Sequence, residues 1–181
     1  MAPVSSLELE PGELECLRLL ATNHWFSVRA RGIFQRVDKE SIRATEIAVR
    51  SVETVVLGSK DIPLSGNHEA FRISVRKQTG ASPDGDQFDI CGGAEAWLSK
   101  VAVLPAPLAV NLVWITEEYG LDAKYASRTL TIEVPEAVLV QGHGGRLLVS
   151  QDAMPMWLNV TADADRIDDT LARSHRVVRI Q

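Results

Sequence analysis

Two acidic clusters and four strand arginines are the side chains here whose types and spacing suit binding chemistry. Asp84, Asp86 and Asp89 fall in a Gly-containing loop, and Asp163, Asp165, Asp168 and Asp169 follow further on. Calcium takes about six to eight oxygen ligands, with several carboxylates from one loop. Neither cluster has the EF-hand spacing with its terminal Glu. Asp84, Asp86 and Asp89 therefore stand as calcium candidates, while the second group reads as the acidic start of a helix. Arg29, Arg31, Arg72 and Arg76 take alternating positions in two predicted strands. If those strands were neighbours, the four would form a patch able to hold phosphate or carboxylate groups. Glu46 and Glu69 are acids that would otherwise pair with them across strands.

Other chemistry is less well supplied. His24, His68, His143 and His175 are far apart, with no paired spacing of the kind that marks a metal site. The Gly-His-Gly-Gly run at 142–145 lacks the following Lys and Ser/Thr of a phosphate loop and reads as a turn. No G-x-S-x-G elbow is present. Cys16 and Cys91 sit beside apolar neighbours, as reduced, buried thiols do, with a single bridge between them as the alternative. Trp25, Trp97, Trp114 and Trp157 would make sugar-stacking platforms if exposed. Each lies in a predicted strand among apolar neighbours, which favours the core. Asn159-Val160-Thr161 matches a glycosylation sequon. No cofactor is implied.

The elements that must position these residues read as strands. Residues 137–150, AVLVQGHGGRLLVS, are two apolar runs around a Gly-rich reversal, a hairpin signature. Residues 24–32 and 71–76 alternate apolar with charged positions, as half-buried strands do. Residues 42–57 are rich in Ile, Val and Thr, and their alternation slips near 48–52, which predicts a bulged strand or two strands joined closely, with a helix over part of the segment as the alternative. Further strands are expected at 87–91, 94–103, 108–116, 128–134, 155–160 and 177–180, with a corner at Pro105 to Pro107. Residues 13–21 and 162–174 carry helical spacing behind Pro11 and behind Asp163.

With 45% apolar and 24% charged residues among 181, the chain can bury a sizeable core, and 1–181 reads as a single β-rich domain. Strands without alternating long helices predict an all-β fold with one or two short helices. A two-sheet antiparallel sandwich of jelly-roll type is the first expectation and a closed barrel the second. The net charge of −5 argues against nucleic acid as a partner. No apolar run is long enough for a membrane span and no signal peptide is visible, so a soluble protein, cytoplasmic or within an assembled particle, is expected. The function expected first is a non-catalytic assembly subunit, a homo-oligomer or virus or phage particle component by analogy of fold. Its contact elements would be the Asn67 region, the loop at 78–86 and the proline corner. A carbohydrate-binding module is second. A motif-poor metalloenzyme of the cupin kind is third, although the paired His of that family are missing.

Overall fold

A computed structural model describes residues 5–6, 8–22, 26–50, 53–62, 71–78, 86–88, 95–96, 98–116, 124–142, 145–154, 156–174 and 176–180. The alternating runs become strands β1 (Ser5–Ser6), β2 (Phe26–Asp38), β3 (Ser41–Arg50), β4 (Thr54–Asp61), β5 (Phe71–Lys77), β6 (Asp86–Phe88) and β7 (Glu95–Ala96). They continue as β8 (Leu98–Thr116), β9 (Lys124–Gly142), β10 (Gly145–Gln151), β11 (Leu158–Thr161) and β12 (Val178–Ile180). Helices α1 (Pro11–Thr22) and α2 (Ala164–Arg173) complete the described elements.

The strands form a 12-stranded sheet with the path β12-β8-β9-β10-β11-β3-β2-β6. It is antiparallel except where β1 lies parallel to β9. β3 carries a fork. Its first residues pair with β11, and its last, on the same side, pair with β4, which leads to β5. The branch curls the sheet into a half-barrel, and β5 comes to pack on β9 and β10.

Helix α1 lies in the open seam, touching β5 on one side and β8 and β12 on the other. Pro11 at the first helical position suits a helix start, and Glu13 two residues later accepts the Glu10 backbone N–H at 2.8 Å, half of a capping box. Its buried stripe of Glu13, Cys16, Leu17 and Leu20 has the spacing of one helix face. Leu17 and Leu20 join the main core with Ile47, Leu57, Ile73, Val138 and Leu147.

A second, smaller core sits on the outer face of the sheet. There Ile167 of α2, fully buried, packs on Ala102, Leu104, Ala137, Leu139 and Leu148. Strands β8, β9 and β10 are thus covered on both faces, which explains their unbroken apolar runs.

The slip expected in residues 42–57 has two physical sources. The segment is two strands, β3 and β4, and within β3 the core residues change parity from Ile42 and Ala44 to Ile47 and Val49. The change lies opposite a bulge in β2, between Arg31 and Phe34, where Gly32 takes φ +74°.

Three expectations need correction. No corner forms at Pro105 to Pro107: β8 runs through them, with a register shift at Leu104/Pro105. Both prolines lie beyond the reach of β12, which among the described strands pairs only with residues 101–103 of β8. Trp157 is not inside a strand; it precedes β11 and is half-buried. Arg72, expected on an outward charged face, is buried.

Candidate functional site

The four strand arginines would make one patch only if their strands were neighbours. Arg29 and Arg31 lie on β2 and Arg72 and Arg76 on β5, and β3 and β4 intervene. Glu46 of β3 stands between the two pairs, 3.8 Å from the Arg31 guanidinium and 3.1 Å from that of Arg76. Arg31 also donates to Gln78 at 2.9 Å. Cross-strand ion pairing with Glu46 is thus what occupies this face.

Arg72 does something different. Its Nη1 and Nη2 each lie 3.0 Å from a Glu13 carboxylate oxygen, and Nη1 also donates to the Ile73 carbonyl at 2.9 Å. Glu13 accepts the Val75 N–H at 3.2 Å as well. An ion pair carried by the helix therefore satisfies outward backbone groups of edge strand β5.

Asp84, Asp89, Glu69, Cys91, Trp25, Trp97 and all four histidines lie outside the described residues, as do the Asn67 region and positions 79–85 of the expected contact loop. Asp86 is placed only as the first residue of β6, opposite Ala30. Among the described residues no group of three or more His, Cys, Asp or Glu is arranged to hold a metal. Cys16 is a free, buried thiol that burial pushes upward in pKa, the reverse of what a nucleophile needs.

Side chains converge more fully on the outer face of β10, β11, β3 and β2. The register aligns Ser150, Asn159, Arg43 and Gln35 in one row across the four strands. The next row holds Leu148, Thr161, Ser41 and Asp38. Helix α2 walls one side through Arg166 and Thr170, and the resulting open cleft has a volume of about 560 Å³.

Its charges are paired. Arg43 contacts Asp152 Oδ2 through Nε at 2.7 Å and Nη2 at 2.6 Å, and Arg166 reaches Asp38 at 2.8 Å. Burial alone would raise the Asp152 pKa, but the Met154 N–H at 3.0 Å and the Arg43 guanidinium outweigh it and hold the carboxyl below its ordinary value. Asp38 is also held down, by the Glu40 N–H first and then by Arg166. Ser41 and Thr161 share a hydroxyl hydrogen bond at 2.8 Å, and Thr161 accepts the N–H of Asp163, which caps α2.

Sequence reading missed this constellation. Asn159 and Thr161 were visible only as a sequon, and the sign available was their alternation with Leu158 and Val160, which marks one polar and one apolar strand face. That alternation does not say which strands lie beside β11.

The second distinctive feature is the ribbon formed by the far ends of β8 and β9. The two strands stay paired from Leu98↔Gly142 to Thr116↔Lys124. Their other neighbours stop early: β12 at residues 101–103, β10 at 137–142 and β1 at 132–133. Residues 109–116 and 124–131 therefore pair, among the described strands, only with each other. At roughly 3.4 Å per residue this two-stranded arm is about 27 Å long. By register, Val110, Leu112 and Trp114 stand opposite Leu130, Arg128 and Ala126, and Asn111 and Val113 opposite Thr129 and Ser127.

No helix among the described residues is long and apolar enough to cross a membrane. Comparison of the chain with protein-family models, with curated proteins and with solved structures found no match.

Proposed function

We propose that this chain is a non-catalytic assembly subunit that joins copies of itself, or another protein, through the β8–β9 ribbon. The ribbon's pairing pattern carries the reading. A two-stranded hairpin alone in water is marginally stable, and it becomes a fixed element when an apolar face is covered. In sequence the arm is rich in apolar residues, with Val110, Leu112, Val113, Trp114 and Ile115 in β8 and Leu130 in β9, the composition that such a contact needs.

A homo-oligomer is the simplest assembly of this kind. A place in a virus or phage particle, with the half-barrel as a jelly-roll-like unit, rests on analogy of fold. Native mass spectrometry and light scattering over a range of concentrations test the proposal. The intact chain should associate with rising concentration. A variant in which residues 109–131 are replaced by Asn-Gly should stay monomeric with an unchanged circular dichroism signature for the rest. An intact chain that remains monomeric throughout overturns self-assembly, and equal association by the shortened variant overturns the role of the ribbon.

A further inference from the structure

The cleft between α2 and the polar rows of β10, β11, β3 and β2 is independent of the ribbon. We infer that it binds a short neutral saccharide. The argument rests on which of its groups are already satisfied.

Its charged members are balanced: Arg43 by Asp152, and Arg166 by Asp38. An added anion would have to displace a carboxylate already seated on each guanidinium. Ser150, Asn159 and Gln35, which share the Arg43 row, have no side-chain hydrogen bond among the described residues. Two are amides and one is a hydroxyl, and each of these groups both donates and accepts. A saccharide presents the matching chemistry, a series of hydroxyls that donate and accept at adjacent positions.

The geometry suits an extended ligand. Ser150, Asn159, Arg43 and Gln35 stand on successive strands about 4.8 Å apart, so the row spans about 14 Å, the scale of a disaccharide rather than a single small ion. Ordered strands hold the row, so little side-chain-bearing backbone must be arranged on binding. Val37, exposed on the cleft wall, supplies apolar surface for the C–H face of a sugar ring. The volume of about 560 Å³ falls within the ordinary range for small-ligand sites.

Arg36, exposed at the rim, forms no ion pair with a described residue and is the group that an anionic ligand would use. It separates the two chemistries experimentally. The intact chain is titrated with maltose, cellobiose, chitobiose and inorganic phosphate, followed by saturation-transfer NMR and calorimetry. At least one disaccharide should bind at millimolar concentration. Gln35→Ala and Asn159→Ala should each weaken it about tenfold, the loss of one or two neutral hydrogen bonds, while Arg36→Ala leaves it unchanged. Both amides are exposed, so these variants should keep the fold, which circular dichroism checks. Failure of all three disaccharides overturns the inference. So does disaccharide binding insensitive to both amide variants, or phosphate binding lost in Arg36→Ala.

Discussion

Replacing Glu13 with alanine tests the joint between α1 and the sheet. The Glu13 and Arg72 side chains are only 7% and 4% exposed. Both guanidinium contacts, the Val75 N–H and the Glu10 N–H depend on one carboxylate. Glu13→Ala leaves a buried cation without its partner, a change that costs about 3–5 kcal/mol. The orphaned Val75 N–H would by itself cost about 1–3 kcal/mol, but the two effects share one site and do not simply add. A loss of about 4 kcal/mol is expected, a large part of the ~5–15 kcal/mol that holds a typical domain folded. Urea unfolding followed by circular dichroism measures it. The double variant Glu13→Leu/Arg72→Met removes the stranded charge and should recover much of the loss, remaining about 1–3 kcal/mol below the parent because Val75 still lacks its acceptor. A loss under about 1 kcal/mol in Glu13→Ala, or a double variant as unstable as the two single losses summed, would refute the reasoning.

Three further outcomes follow from the same geometry. Gly32→Ala forces a Cβ to within 2.0 Å of Thr45 Oγ1 at φ +74°, so thermal unfolding should show a loss of at least about 1–2 kcal/mol, relieved in part by adding Thr45→Ala. Ile167→Ala should cost about 2–5 kcal/mol, and hydrogen exchange should rise in α2 before β3, since Ile167 is the fully buried residue of that helix. Asp38, Asp152 and Asp168 all have carboxyls held below their ordinary pKa, Asp168 mainly by its hydrogen bond from Arg146. Their folded-state preference for the charged form is fully present above the unfolded carboxyl value of about 3.9 and is lost as pH falls through the lowered values. Stability should therefore drop on acidification below about pH 5, and Arg43→Met should shrink the part due to Asp152 in pH-dependent melts.

Local signals in the chain are legible where they depend on near neighbours. Pro11 and the spacing of Leu17 and Leu20 marked α1, Asp163 marked α2, and the glycines around position 143 marked the β9–β10 hairpin, whose strands do pair from Gly145↔Gly142. What escaped depends on distant partners. Arg72 looks like any outward strand residue until Glu13, 59 positions away, is found beside it. The prolines at 105 and 107 look like a corner because sequence does not reveal that, among the described strands, β8 pairs there with β9 alone. The cleft row joins Gln35, Arg43, Ser150 and Asn159, with an Arg43–Asp152 separation of 109 residues, and period-2 alternation is silent about which strands are neighbours.

A half-barrel leaves strand edges, and edges invite pairing with other chains. In the body of this protein several are blocked by different means. At β5, Glu13 and Arg72 occupy the Val75 N–H and the Ile73 carbonyl, and α1 lies against the strand. At β8, the short β12 covers residues 101–103, and beyond it Pro105 and Pro107 have no N–H to offer an incoming strand. Past Pro107, β8 and β9 continue for several residues with no third strand beside them among the described residues. Protection at the seam, with no third described strand beside the arm, is the contrast behind the proposal that association runs through the ribbon. This is why truncating the arm, rather than mutating the seam, is the perturbation that should separate assembly from folding.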